Sequence, residues 1–326
     1  MIKESIFTTV NDLTTFFDIT PHAIYKTMRE ENIPFEKYRN RRKIAPLNVR
    51  KIFEDRGFAY KKKAFAFQIV KGGVGKTSFS MNVAIRAHEY GFRVLMVDLD
   101  KQGNLSSGLG IDATELPVLF HVLRDHIPVK DAIVPLFEGF HIIPSSMNNT
   151  MLDNFLGSSS YVNKESFLDG LLQPIRNNYD LIIIDCPPDI NHITTITSLY
   201  ADQIIIPLIA CPHTMQGLEQ TMTELINIKK NFNKTFQISV VWNKYDAREK
   251  LAMKYMLELS DKEFIDKDMV IPVLVRTDTA IKKAVDEGKT IFNFPNSQAA
   301  IDLDQLTREL VGLNEFKTTY VKGGKA

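Results

Sequence analysis

The chain has 326 residues, 44% of them hydrophobic and 24% charged, with 40 Lys+Arg against 39 Asp+Glu. That length is about two domains' worth, and the ordinary composition excludes a disulfide scaffold, a collagen-like repeat and a long disordered tail. The net charge of +1 hides an asymmetry, because residues 1–63 carry fourteen Lys/Arg against eight Asp/Glu, a basic head that invites a polyanionic partner.

In the head, Val10, Leu13, Phe16 and Phe17 recur at a spacing of three and four, which predicts a short amphipathic helix over 9–17. Asp18-Ile19 breaks it. Thr20 followed by Pro21 is an N-cap with proline at the first helical position. This second helix runs to about residue 31, burying Ile24 and Met28 and exposing His22, Tyr25, Lys26 and Arg29. A basic cluster of Lys37, Arg39, Arg41, Arg42 and Lys43 follows, then a third helix over 46–56, closed by Gly57.

Two short helices joined by a tight turn, then a basic hairpin-like segment, have the layout of a winged helix-turn-helix. The head resembles the helix-turn-helix of MerR-like regulators; a small helical cap with a solvated basic loop is the alternative. On the first reading residues 1–60 form a DNA-binding domain. His22, Tyr25, Lys26, Arg29, Arg39, Arg41, Arg42 and Lys43 would then face DNA. Lys61-Lys62-Lys63 marks its boundary as a solvated charge run, so deleting 1–60 is expected to spare the rest.

From residue 64 the pattern changes. Apolar runs at 64–70, 93–97, 141–143, 181–184, 204–207, 238–242 and 270–275 alternate with amphipathic helices. Runs that are apolar on both faces predict a mostly parallel, doubly wound α/β sheet covered on both sides, here spanning residues 61–326. Ligands in such folds bind beyond the carboxyl ends of the strands.

Directly after the first run comes Lys71-Gly72-Gly73-Val74-Gly75-Lys76-Thr77, then a helix from Ser78 to about residue 90. In a G-x-x-x-x-G-K-[ST] phosphate loop the first glycine would fall at Val70, so the match departs at one position. The glycines still let backbone N–H groups turn inward around phosphate, beside a helix N-terminus that favours anions. Gly72, Gly73, Val74, Gly75, Lys76, Thr77 and Ser78 are therefore the nucleotide-binding candidates. Lys76 would neutralise the β- and γ-phosphates of a nucleotide and the Thr77 hydroxyl would ligate Mg2+.

The string KGGVGKT resembles the deviant Walker A motif of the ParA/MinD family of P-loop ATPases. Asp98-Leu99-Asp100-Lys101-Gln102-Gly103-Asn104 resembles that family's DxDPQGN element, with Lys101 in place of proline. Residues 182–188, IIIDCPP, resemble its Walker B segment, and the likeness covers most of 64–310. The resemblance implies that Lys71 reaches across a nucleotide-sandwich homodimer to the partner's phosphates. It implies that Asp100 orients or activates the attacking water, Asp98 orients from behind, Asp185 holds Mg2+ and Asn243 contacts adenine. Cys186 and Cys211 read as packing residues.

Four kinds of relative fit this pattern: a ParA-type DNA-partition ATPase, a MinD-type membrane-cycling ATPase, a reductase like the nitrogenase iron protein, and a nucleotide-sensing transcription regulator. The tail 317–326 shows no apolar face for a membrane helix, and two cysteines without ligand spacing do not hold a cluster. The partition reading fits the basic head and the late basic residues Arg276, Lys282 and Lys283, which would bind non-specific DNA in an ATP-switched dimer. It implies a ParB-like centromere-binding adaptor and no membrane partner. With few cysteines, no signal peptide and no spanning segment, a cytoplasmic protein is expected, and the ParA resemblance implies that it is nucleoid-associated.

Overall fold

The computed structural model describes residues 6–38, 41–158 and 163–322. Arg39 lies outside the described residues. The head is built from β1 (Thr8–Thr9), α1 (Val10–Phe17), α2 (Pro21–Glu30), β2 (Glu36–Tyr38), β3 (Arg41–Ile44) and α3 (Pro46–Asp55). Thr9 and Asp12 close α1 with a reciprocal capping box, and Asp18 ends it in a left-handed conformation. Thr20 accepts from the Ala23 amide with Pro21 at the first position of α2, which is the start that its sequence predicts. The three strands pair antiparallel in the order β1-β3-β2.

The body strands are β4 (Lys63–Phe67), β5 (Val94–Asp98), β6 (Val134–Phe137), β7 (Phe140–Ile143), β8 (Leu181–Asp185), β9 (Gln203–Leu208), β10 (Gln237–Tyr245) and β11 (Val270–Arg276). They form one sheet in the order β11-β10-β9-β4-β8-β5-β7-β6. Every pairing is parallel except β6 with β7. All seven apolar runs of the sequence become strands. The eighth strand, β6, lies at the sheet edge with a half-exposed pattern, so it lacks the two-sided apolar signature of the others.

Helices connect the strands: α4 (Lys76–Glu89), α5 (Asn104–Gly108), α6 (Leu119–Arg124), α7 (Thr150–Ser158), α8 (Phe167–Arg176), α9 (His192–Tyr200) and α10 (Pro212–Asn231). The chain ends with α11 (Lys250–Ser260), α12 (Ala280–Glu287), α13 (Gln298–Leu310) and α14 (Leu313–Lys322). Alternate strand residues feed two cores, with Phe65 and Phe67 of β4 on one face and Ala64 and Ala66 on the other.

The core on the Phe65 face does not stop at the body. It continues through Tyr90 and Phe92 into Leu13, Phe16, Phe17, Ile24 and Phe53 of the head. The Phe53 ring lies 4.8 Å from Phe17, 5.8 Å from Phe58 and 6.0 Å from Tyr90. The Thr8 hydroxyl donates to the Glu89 carbonyl at 2.7 Å, and Tyr60 donates to the Tyr90 carbonyl at 2.8 Å. Arg50 reaches the buried Asp180 carboxylate at 2.5 Å. Gly91, at φ +90, lies so close beneath Arg50 that a Cβ would meet its Cα at 2.7 Å.

Two sequence expectations change here. The lysine run is not a free linker, because Lys62 donates to Asn177 Oδ1 and Lys63 opens β4 with its ammonium on the Leu310 carbonyl. The tail does have an apolar face, which begins before residue 317. Phe316 and Tyr320 of α14 meet the Phe17 ring edge-on, with centroids 6.5 and 5.6 Å away, so this face is used within the chain. Among the described residues, no helix is long and apolar enough to cross a membrane.

A head and body sharing one core should unfold together. Phe53→Ala is expected to cost about 3–5 kcal/mol, in a single transition seen alike by far-ultraviolet dichroism and tyrosine fluorescence. A separate early transition with the main one at its original midpoint would contradict the shared core.

Candidate functional site

The order of the sheet brings three strand ends together. β8 lies between β4 and β5, with Asp185 in register with Phe67 on one side and Asp98 on the other. The loop from Lys71 to Gly75 leaves β4 and enters α4, whose N-terminal amides present a positive end at its mouth. Gly73 and Gly75 adopt φ +76 and +98, the left-handed region that favours glycine. Gly75 is fixed twice over, since a Cβ there would stand 2.3 Å from Asn243 Nδ2.

Lys76 is buried, and its ammonium donates to the Lys71 carbonyl at 2.9 Å and the Ile69 carbonyl at 3.4 Å. Burial lowers its pKa, opposed chiefly by Asp185. The ammonium thus spans the hollow of the loop. Lys71 is half-buried at the rim, where α10 supports it: a Cβ on Gly217 would meet the Val70 carbonyl at 2.6 Å and Lys71 Cβ at 3.3 Å. The Thr221 hydroxyl accepts from the Val70 amide at 3.0 Å.

Asp185 is fully buried, and neither carboxylate oxygen meets the geometry of a hydrogen bond. Burial and then the Asp98 charge push its pKa up to about 8, against the pull of Thr77 and Lys76. Asp98 is also fully buried but satisfied, accepting from the Ser106 amide and hydroxyl at 2.9 and 2.7 Å and from the Asp100 amide at 3.2 Å. Burial still raises it to about 6. Ser106 in turn takes the Ser145 amide at 2.9 Å, which ties the β5 loop to the β7 loop. Asp98 is therefore a brace. Asp100 stands half-buried at the mouth, one oxygen accepting from the Gln102 amide at 3.0 Å.

Orphaned carboxylate oxygens beside a threonine hydroxyl fit a hard dication. Among the described residues no group of three His, Cys, Asp or Glu side chains could hold a metal alone, so such an ion would take its remaining oxygens from phosphate and water. Cys186 is buried in the Asp185 turn, and burial drives its thiol above the ordinary range. Asn243 does reach the site, but its Nδ2 donates to the Val74 carbonyl at 2.7 Å and its Oδ1 accepts from the Lys244 amide at 2.8 Å. Lys244 places its ammonium 3.0 Å from the Gly73 carbonyl. Sequence reading singled out neither Lys244, Gly217, Thr221 nor Ser106: the loop residues that the first three meet lie far away along the chain, and Ser106 ties Asp98 to Ser145, which is 39 residues on.

The basic candidates form two groups. On α2, His22, Lys26 and Arg29 are exposed and Tyr25 is half-buried. Arg42 of β3 lies 4.2 Å over the Tyr25 ring and 4.6 Å over Phe35, and Lys43 lies 3.7 Å over Phe7. Arg41 belongs to the same strand. In the body, Arg276 is held by Asp302 in a two-pronged pair at 2.8 and 2.5 Å. On α12, Lys282 is exposed and Lys283 pairs with Glu287 at 3.8 Å.

The raised carboxyl gives a testable pH dependence. The folded chain holds the Asp185 proton more tightly than the unfolded chain, so stability falls as pH rises from the ordinary carboxylate value, about 4, to about 8. Asp185→Asn should flatten that slope and be more stable than the parent at pH 8, by about 1–3 kcal/mol, in urea titrations without divalent metal. Parallel pH profiles would contradict the uncompensated carboxylate.

The AAA domain family AAA_31 matches residues 62–238. The sporulation initiation inhibitor protein Soj of Bacillus subtilis is 31% identical over 252 residues, covering 76% of this chain and 98% of Soj. The chromosome partitioning protein ParA of Caulobacter vibrioides is 34% identical over 255 residues, covering 74% and 91%. The ATP complex of a Cyanothece McdA variant shares the fold, with a TM-score of 0.68 at 22% identity over 77% of this chain and 96% of that one. With that family matched over more than half of the chain, and Soj and ParA matched over nearly their whole length, the chain belongs to the ParA/Soj family of P-loop ATPases.

Proposed function

We propose that the chain is an ATP-dependent DNA-partition ATPase for a plasmid or chromosome, working as an ATP-switched homodimer with a ParB-like adaptor. The observation that carries this reading is the buried, unpartnered Asp185 beside a glycine-rich anion loop, in a chain whose relatives are named as partition proteins. ATP would lie with its phosphates along Gly72, Gly73, Val74 and Gly75, at the amides of Lys76, Thr77 and Ser78. Bound Mg2+ would supply charge neutralisation at the phosphates, held by Thr77 and Asp185. Lys76 would exchange its carbonyl contacts for phosphate oxygens.

Asp100, half-buried at the mouth, would orient the nucleophile. Lys71, on the rim, would reach the partner's phosphates, which makes each site complete only in the dimer. That dependence is the switch: ATP favours pairing, and pairing joins two weak basic surfaces into one groove. Lys282 is the freest cation for that groove, since Arg276 is held by Asp302 and Lys283 pairs with Glu287 on the surface. Asn243 is close enough to the loop to meet the base as well.

The head would act as a winged helix-turn-helix, with α2 as the reading helix and the β2–β3 hairpin as the wing. The exposed His22, Lys26 and Arg29 and the stacked Arg42 support this. Operator binding by the head would give autoregulation, in a cytoplasmic, nucleoid-associated protein. The rigid join between head and body favours a second reading, a transcription regulator whose operator binding is set by nucleotide. The apolar face of α14 packs on Phe17 and Phe58, so that face is not offered to a membrane as the MinD-type reading would need.

Filter binding with random DNA and with the gene's own promoter separates these readings. Random DNA should be retained with a non-hydrolysable ATP analogue and not with ADP, with steep loss in salt. Lys76→Ala should weaken analogue binding at least about tenfold and abolish that retention. Nucleotide-insensitive binding to promoter DNA alone would sink the partition reading.

A further inference from the structure

The end of β10 grips the phosphate loop at two consecutive peptides. Asn243 Nδ2 donates to the Val74 carbonyl at 2.7 Å, and Lys244 Nζ donates to the Gly73 carbonyl at 3.0 Å. The Lys244 amide donates to Asn243 Oδ1 at 2.8 Å, which turns the nitrogen of that amide side chain toward the loop. Lys244 holds this position with φ +52, a left-handed conformation that is costly for a residue with a side chain.

Peptide geometry gives these contacts a consequence. In a planar trans peptide the carbonyl and the following N–H point in opposite directions. The Gly73 carbonyl is bonded to the Val74 nitrogen, and the Val74 carbonyl to the Gly75 nitrogen. Fixing both carbonyls toward β10 therefore aims the amides of Val74 and Gly75 away from it, into the hollow of the loop. Among the described residues no acceptor takes those two amides. They are free donors with fixed directions, the requirement for an anion-binding nest.

We propose that Asn243 and Lys244 are positioning residues for phosphate recognition: they set the direction of the Val74 and Gly75 amides by holding the carbonyls behind them. This rests on the nucleotide reading above and sharpens it. Asn243 acts on the polyphosphate through the loop, independently of any contact with the base. Lys244 is an ordinary exposed lysine by sequence, and its role comes from its backbone turn. Both residues end the strand that pairs with β11, in register at Tyr245 and Arg276. Movement at that edge of the sheet would therefore reach the phosphate loop directly.

The test uses the full chain and competition against a fluorescent ATP analogue, with ADP and with inorganic tripolyphosphate, which has no base. Lys244→Met and Asn243→Ala should weaken both competitors by a similar factor, about three- to tenfold. Lys244→Arg should recover most of the loss. The KM for ATP should rise by the same factor while kcat stays within about twofold. For the exposed Lys244, the unfolding midpoint without ligand should not move, so a folding defect cannot account for the loss. Unchanged tripolyphosphate affinity would overturn the positioning role, and weaker ADP binding alone would assign Asn243 to the base. No analogue binding by the parent chain would overturn the nucleotide reading itself.

Discussion

A carboxylate sealed among strand ends without a partner is the constraint around which the site is built. Burying a charge is costly unless something compensates it, and among the described residues Lys76 and Thr77 are the groups that pull against the burial of Asp185 and the Asp98 charge. Neither compensates it fully, since the Lys76 ammonium donates to the carbonyls of Lys71 and Ile69. Asp98, one strand away, shows the contrast: equally buried, it is braced by Ser106 and the Asp100 amide. One acid holds the loops in place. On the proposed function the other takes a cation, and with it the phosphates that a cation brings.

The second organising element is α4. It starts at Lys76 and Thr77 and ends at Glu89, where the head is attached. Its last turn carries a buried network in which Arg86 bonds Glu89 at 2.7 Å and Asp304 at 2.6 Å, and Tyr90 donates to Asp304 at 2.6 Å. Burial raises Glu89 to about 7 despite Arg86. Thr8 bonds the carbonyl at the same point. A single helix thus joins the phosphate loop to the basic head, and near-neutral net charge is an average over two parts that share one core.

How much of this is legible in the sequence depends on the range of each interaction. The strands are legible because both faces are buried and the runs are unbroken, and the phosphate loop because its glycines and lysine are contiguous. Capping at Thr20 and Pro21 is local and can be read directly. The attachment of the head is not. Periodicity in 9–17 says that Phe16 and Phe17 are buried, but not that Tyr90, Phe316 and Tyr320 bury them. The face of α14 escapes a reading that begins at residue 317, one position past Phe316. The grip of Lys244 on Gly73 spans 171 residues and depends on a backbone angle that no residue type announces.

The central claim is that an uncompensated, protonated Asp185 is ionised when a dication and polyphosphate bind. Calorimetric titration of Mg2+-ADP into the chain at pH 7, in buffers of different ionisation enthalpy, measures the protons exchanged on binding. A carboxyl near pKa 8 that loses its proton to a cation should release on the order of one proton per site, and Asp185→Asn should remove that release. Binding with no proton release at pH 7, or with the same release in the variant, would contradict the account.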